Sequence, residues 1–493
     1  AGGATLCGGA LSLAAARSCA GMAAPWEAAC GGVCGGPWDA TSAADARGDG
    51  QDVAGSERGS EGSSEAEEFQ EHCFAFEPEL AVPDREALYN EFDRLPSPRR
   101  VRHVWKAALA VNHDGFDFVP PAVMNYWLKP PPPLRPGASC TSPAHLKPRM
   151  ADAFRAAGLQ ALRRGKVAVV VAAAEAADGL GVPALEVADL GLPSRKSILQ
   201  IYVERIRRLC YLAGQAADAA GEPPLASPGN FAFARCTVPL YVMTSPETAS
   251  IVEAFVRANE FFGLPEKDVV FFRNEDMPLV NVKGQYLLKT KGEIWRHALG
   301  NGCVFSALHD SGAMQDLRSR PVDYLFVCAS NNLACRVADP MLIGLAALTH
   351  AELVCKGVER LSAQDPLPAF ASRQPAGHAE DGPDGAEIVA TDEARPLVAS
   401  TEELPKAFGF LNSGQNSVDP GVNFASIAEI AVQMHVVEKA HSDDMHWHMK
   451  AVPRTASISP ITGLQEAKPA YRFEQHFEDI ASVAATALAF KVD

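Results

Sequence analysis

The segment Val167–Ala173, read Val-Ala-Val-Val-Val-Ala-Ala, constrains the fold of this 493-residue chain more than any other. Seven consecutive apolar residues leave no polar face for water. A strand here must therefore be buried on both sides, as in a parallel sheet covered by helices on each face. The flanking rhythm agrees. Residues 197–213 place Ile198, Tyr202, Ile206, Leu209 and Ala213 on one helical face, with Arg205, Arg207 and Arg208 toward solvent. Residues 238–243 read as the next strand. Ser245 then reads as an N-cap with Pro246 at the first helical position, Ile251, Phe255, Ala258 and Phe262 as the apolar face, and Gly263 as the stop. Residues 269–272 and 324–327 read as strands and 340–351 as a helix after Asp339. The alternation predicts a three-layer α/β domain with a mixed, mostly parallel sheet and a ligand beyond the carboxyl ends of its strands.

Composition narrows the function. Apolar residues at 47% are enough for a large core, and the length suits two or three domains. Against 60 acidic residues stand 44 Lys and Arg, a net charge of -16 that repels a phosphate backbone and excludes broad nucleic-acid binding. No apolar run reaches the 18 or so residues a membrane helix needs, so a soluble protein without a membrane partner is expected. Twelve cysteines without a repeating spacing predict neither a disulfide framework nor a thiolate zinc site, and fit a reduced, cytoplasmic compartment. Cys30 and Cys34 lie in a Gly/Ala tract with no scaffold for a metal.

Residues 1–70, rich in Ala, Gly, Ser and Glu, are expected as a disordered low-complexity tail, and the first stretch makes a poor secretory signal. Residues 71–163 are expected as an N-terminal helical segment interrupted by the polyproline run 129–136, and 164–493 as the α/β domain. Within it, 364–386 reads as a surface loop and 473–490 as a terminal helix. His435, His441, His446 and His448 fall in a 14-residue window that offers zinc spacing, but the segment reads more simply as a solvated connection, so no metal ligand is assigned. Walker-type phosphate loops and serine or cysteine nucleophile motifs are absent.

Three segments in order, Gly191-Leu-Pro-Ser-Arg-Lys-Ser197, Met243-Thr-Ser245 leading to Phe261-Phe-Gly-Leu264 and Val269-Val-Phe-Phe272, and Val337-Ala-Asp-Pro340 leading to Ile343-Gly344, resemble the UDP-N-acetylhexosamine pyrophosphorylases, a branch of the UDP-sugar pyrophosphorylase family. The resemblance runs from about Leu95 to the end, with the chain stopping before the family's small C-terminal domain. It implies a Rossmann-like nucleotidyltransferase fold, and an enzyme joining UTP and N-acetylglucosamine 1-phosphate with magnesium as helper. Such chemistry holds two polyanions together and neutralises their charge.

The same resemblance shows where this chain departs. The family's Gly-rich turn, Ala-Gly-Gly-x-Gly-Thr-Arg-Leu-Gly, is Ala173-Ala-Glu-Ala-Ala-Asp-Gly-Leu-Gly181 here: Gly179 stands in place of the phosphate arginine, and Glu175 and Asp178 add negative charge. Of that turn Leu180 and Gly181 remain. The Pro-Lys-Gly lysine has no counterpart in 183–189, and Asn331 stands where the metal-binding Asp is expected. In the uridine-binding segment Gly300, Asn301 and Gly302 are kept. On the sugar side Ala390 replaces a carboxylate, while Asn412, Gly414 and Gln415 match the Asn-Ala-Gly-Asn element. Lys468 matches a phosphate-binding lysine. Losing three charged groups, each worth about 2 to 4 kcal/mol to a transition state, predicts a catalytically defective protein with at most weak binding of UTP or UDP-N-acetylglucosamine and weakened magnesium binding. The alternative is an active UDP-N-acetylglucosamine diphosphorylase using substitute charges.

Overall fold

Residues 167–173 form the strand their composition demands, and every one of the seven is buried. In the computed structural model, the structure describes residues 70–113, 116–119, 140–141, 148–173, 184–219, 236–274, 276–359, 367, 369–375, 395–399, 424–440, 445 and 447–492. Strands in chain order are β1 Phe116–Val119, β2 Cys140–Thr141, β3 Val167–Ala173, β4 Leu240–Thr244, β5 Val269–Arg273, β6 Asp276–Pro278, β7 Leu288–Thr290, β8 Glu293–Ile294, β9 Arg296–Ala298, β10 Tyr324–Ala329, β11 Leu353–Glu359, β12 Ala369–Pro375, β13 Arg395–Ala399, β14 Phe424–Gln433, β15 His448–Ile458, β16 Gln465–Glu474 and β17 Ala487–Lys491. Helices are α1 Val82–Arg94, α2 Pro98–His113, α3 Pro148–Arg163, α4 Ile198–Ala219, α5 Ala249–Ala258, α6 Val304–Asp310, α7 Ala313–Ser319, α8 Pro340–Thr349 and α9 Met434–Lys439.

The main sheet runs β2-β17-β11-β14-β10-β3-β4-β5. β10, β3, β4 and β5 are mutually parallel, and β17 and β2 continue parallel beyond β11. β14 lies antiparallel between β10 and β11, which makes the sheet mixed but mostly parallel. Strand pleat divides its side chains between two cores. Ala168, Val170, Ala172, Leu325 and Val327 join one. Val167, Val169, Val171, Phe326 and Cys328 join the other, under α3, α4, α5 and α8. Helices α3 and α8 cross at glycines: a Cβ on Gly344 would lie 1.7 Å from the Phe154 carbonyl oxygen, so this contact admits no side chain. A second sheet, β16-β15-β7-β8, is built on the long β15–β16 hairpin.

Four local expectations are corrected. The stretch 473–490 is not a helix: β16 ends at Glu474, a 3-10 turn covers Phe477–Ser482, and β17 pairs parallel with β11. Phe473, Phe477 and Ile480 mimic helical spacing, but sheet pairing wins. The stretch 364–386 contains β12, which pairs with β1, β13 and β14 and so outweighs its loop-like composition. Ser245 caps the entry to helix α5 as expected, its Oγ accepting from the Thr248 N–H at 3.1 Å and its carbonyl from the Ala249 N–H at 3.0 Å, while Thr248 Oγ1 accepts from the Ser245 N–H at 3.1 Å; regular α-helix begins at Ala249. It ends at Ala258; Glu260, Phe261 and Phe262 are left-handed, so Phe262 is not on its apolar face. Lastly, Arg205 does not face solvent but donates to the Cys335 carbonyl at 2.5 Å. Residues 1–69 of the expected tail, the polyproline run, and the turn and sugar-side motifs at 174–183, 388–391 and 412–415 lie outside the described residues. Among the described residues, no helix is long and apolar enough to cross a membrane.

Candidate active site at the carboxyl edge of the sheet

Parallel strands end together, and here the ends of β10 and β11 meet the start of antiparallel β14. Ser330 extends β10 by donating its N–H to Ala172 at 3.1 Å, and its hydroxyl donates to buried Glu186 at 2.7 Å. Asn331, expected in place of the metal Asp, is exposed on the turn that follows. Asn332 folds inward: its carbonyl accepts from the Tyr202 hydroxyl at 2.6 Å, and its Nδ2 donates to Glu429 Oε1 at 3.2 Å.

Beside this turn, Lys356 Nζ on β11 lies 3.1 Å from Asp339 Oδ2 and 2.8 Å from Glu429 Oε2. The three side chains are 4, 6 and 1% exposed. Asp339 is also the N-cap of α8, accepting from the Met341 N–H at 3.0 Å, so helix entry and ion pair share one carboxylate. Burial opposes the charge on Lys356, but the two carboxylates outweigh it and hold the amine above its usual pKa. Glu429 is pushed up by burial, which Lys356 only partly offsets. The register skips at this point, from Lys356↔Glu429 to Gly357↔Ser426, and Ala428 takes a left-handed φ of 58° in the bulge.

A second polar cluster flanks the edge. The retained Gly300, Asn301 and Gly302 pack on the end of β16: Gly302 N–H donates to the Gln475 carbonyl at 2.8 Å, and Asn301 Oδ1 accepts from Phe477 N–H at 3.2 Å. A Cβ on Gly302 would come within 2.6 Å of Gln475 and His476 backbone, so backbone packing by itself requires this glycine. Next to them, buried His448 and Asp479 pair at 3.0 Å, and the His448 and His476 rings stand 4.7 Å apart. The Ser426 hydroxyl donates to Glu478, whose carboxyl burial raises to about 7. Burial likewise lowers His476 to about 4, with the nearby His448 adding to it.

Lys468 lies on β16 opposite Thr455 of β15, pairs with Glu466 at 3.1 Å, and precedes Glu474 at the end of that strand by six residues, roughly 20 Å along it. Gly179, Gly181, Asn412, Gly414 and Gln415 lie outside the described residues. His435 and His448 of the histidine window are engaged with Glu352 and Asp479, while His441 and His446 lie outside the described residues. The sequence reading missed Lys356, Glu429 and Glu186. Its available signal was a lone charge inside each apolar strand run, Val-Cys-Lys-Gly-Val and Ile-Ala-Glu-Ile-Ala. A cavity of about 760 Å³ opens elsewhere, between α1 and the β7–β8 hairpin; it is lined by charges of both signs, including Asp84, Arg94 and Lys291, and shares no residue with the edge clusters.

The comparisons with known proteins agree with this frame. The family model for UTP–glucose-1-phosphate uridylyltransferase matches residues 229–366. UDP-N-acetylhexosamine pyrophosphorylase-like protein 1 of Homo sapiens is 31% identical over 328 residues, 66% of this chain and 60% of that protein. Over these residues the chain is similar to the UDP-sugar pyrophosphorylase family. UDP-N-acetylglucosamine diphosphorylase 2 of Arabidopsis thaliana is 28% identical over 62% of this chain and 57% of its own length. The crystal structure of the uridine diphosphate N-acetylglucosamine pyrophosphorylase from Trypanosoma brucei shares the fold, at TM-score 0.63 and 20% identity over 86% of this chain and 77% of that one. The chain spans about 60% of the length of the curated relatives it matches.

Magnesium, the family's usual ion, does not fit the described donors at this edge. Asn331 offers only a neutral amide, and Asp339 and Glu429 each already bind Lys356 and one further N–H donor. Among the described residues, no group of three His, Cys, Asp or Glu side chains is set to hold a metal ion.

Proposed function

We propose that this protein is a member of the UDP-sugar pyrophosphorylase family, is defective in uridylyl transfer and binds a uridine nucleotide weakly at most. The observation that carries the reading is the enclosure of Lys356 by Asp339 and Glu429. With Glu186, the carboxyl edge buries three carboxylates against one amine, and that amine is already neutralised. A triphosphate and a sugar phosphate need the opposite balance, because each added negative charge in a site shielded from water repels them strongly. Replacement of the phosphate arginine by Gly179, of the metal aspartate by Asn331, and the absence of a lysine in 183–189 point the same way. Any residual nucleotide contact would use Gly181, Gly300, Asn301 and Gly302, and any sugar contact Asn412, Gly414 and Gln415. We assign the protein to the cytoplasm because its cysteines lack the spacing of a disulfide framework and the seven among the described residues are free thiols.

Calorimetry with UTP and with UDP-N-acetylglucosamine in the presence of magnesium, followed by a pyrophosphate-release assay on the same samples, tests this. The expected result is weak or undetectable binding and no turnover, with binding gained by the repaired Ala177→Gly/Gly179→Arg variant. Turnover by the unmodified protein would overturn the proposal and establish an active uridylyltransferase.

A further inference from the structure

Against a net charge of -16 for the whole chain, residues 95–113 carry four Arg and Lys and no acid. Helix α2 sorts them by face. Val101, Val104 and Ala108 are buried in the core, and half-buried Trp105 packs against it. Successive residues turn by about 100° on a helix, so Arg99, Arg102, His103 and Lys106 form a stripe opposite those apolar residues. Arg99, His103 and Lys106 are exposed, and among the described residues no acidic side chain pairs with Arg99 or Lys106. Lys283, exposed between β6 and β7, is likewise unpaired among them. The chain enters the described fold beside this helix. Gln70 is buried: its Oε1 accepts from the Tyr286 N–H at 2.9 Å, and its Nε2 donates to the Gly284 carbonyl at 3.3 Å. His72 Nε2 donates to the Tyr286 carbonyl at 2.8 Å. Gly284 in turn lies against Trp105, where an added Cβ would stand 3.0 Å from the indole ring. Just ahead of this anchor, Glu61-Gly-Ser-Ser-Glu-Ala-Glu-Glu68 holds four carboxylates and no cation.

We propose that the basic face of α2 is a docking surface whose occupant is the acidic segment 61–68 of the same chain, tethered at Gln70. Charge and attachment point both support this pairing. Four carboxylates leave the fold next to a helix face that carries unpaired cations. Reach is not limiting: residues 61–69 span up to about 30 Å when extended, whereas Arg99 to Lys106 covers about 10 Å of helix. A surface ion pair contributes little by itself, but a short tether holds the partner at an effective concentration on the order of millimolar, so several weak pairs suffice. A free acidic peptide has no such advantage and must displace the tethered one. The docked segment neutralises the cationic stripe and withholds it from external polyanions. The surface uses none of Lys356, Asp339 and Glu429, so it is independent of the proposed loss of uridylyl transfer.

A water-soluble carbodiimide joins a carboxylate to a lysine amine only where the two already meet, which gives a direct readout on the full-length protein by peptide mass spectrometry. The expected products link Lys106 or Lys283 to Glu61, Glu65, Glu67 or Glu68, each one water lighter than the sum of its peptides, and they fade in about 1 M sodium chloride, where charges are screened beyond roughly 3 Å. Lys166 and Asp323, 3.3 Å apart and 157 positions distant, serve as the internal control. In an equal mixture of isotopically heavy and light protein, the links stay within one isotope. Failure of Lys106 and Lys283 to link to 61–68 while Lys166 links to Asp323 would overturn the proposal and leave the face to an external polyanion. Mixed-isotope links would overturn it in favour of a second copy. A second measurement follows the segment itself. Arg99→Gln/Lys106→Gln/Lys283→Gln alters exposed side chains only, and a glutamate-specific protease should then cut after residues 61–68 about tenfold faster than in the unmodified protein. An unchanged rate would contradict docking on this face. The cross-links of the unmodified protein decide the matter even where the variant fails to fold.

Discussion

The two polar clusters on β14 bury similar groups yet treat charge in opposite ways. At Lys356 the amine is held above its usual pKa, because two carboxylates stand within 3.1 Å and outweigh the loss of water. At Glu478 and His476, a few residues of chain from Gly302's packing partner Gln475, burial dominates: the carboxyl rises to about 7 and the imidazole falls to about 4. Burial alone therefore does not decide whether a group stays ionised here. For the amine the two carboxylates at hydrogen-bond distance decide, whereas Glu429, which shares that one amine with Asp339, is still pushed up by burial.

The strongest way to break the comparison is to remove the amine. Lys356→Met leaves Asp339 and Glu429 facing each other without a cation, and is expected to cost about 3 to 5 kcal/mol in urea unfolding. Adding Glu429→Gln should recover a good part of that loss; if the double variant is as unstable as the single, the ion pair is not what the lysine supplies. A smaller effect is expected from Glu478→Gln. The carboxyl titrates near 4.5 when unfolded and near 7 when folded, so between these values the folded state holds a proton the unfolded state has released, and stability falls as pH rises. Glutamine has no such proton. Stability of the variant relative to wild type should therefore climb by about 3 kcal/mol from pH 4.5 to 7, and a difference independent of pH would contradict a buried neutral carboxyl. The smallest effect belongs to an exposed pair. Lys166 and Asp323 sit 3.3 Å apart with 36 and 54% of their side chains exposed, and Asp323→Asn should shift stability by less than about 0.5 kcal/mol.

Much of this fold is legible in sequence because its signals are local. An unbroken run such as 167–173 can be satisfied only between two layers, and Asp339-Pro340 announces a helix start whose side-chain cap is then observed. The candidate site is less legible. Lys356 and Glu429 are 73 positions apart and meet only through strand pairing across a bulge, a register that periodicity does not encode. Gly300 to Gly302 were found through a motif, but the structure gives Gly302 a packing reason that would hold without any ligand. Lys468 shows the opposite limit: a residue type matched from a family motif, whose place on β16 beside Glu466 no local spacing encodes. Helical spacing at 473, 477 and 480 misled for the same reason, since a strand end and a tight turn can place apolar residues at those intervals.

Strand β3 contributes alternate side chains to both cores and hydrogen-bonds to neighbours on both edges. Neither layer can open without stripping cover from the same seven residues, so its backbone amides should be among the slowest in the molecule to exchange with deuterium, released only when both layers separate together. A cut or truncation that removes the helices of one face would thus not yield a smaller stable domain. It would leave a bare apolar sheet, prone to assemble with other copies through the surface it had lost.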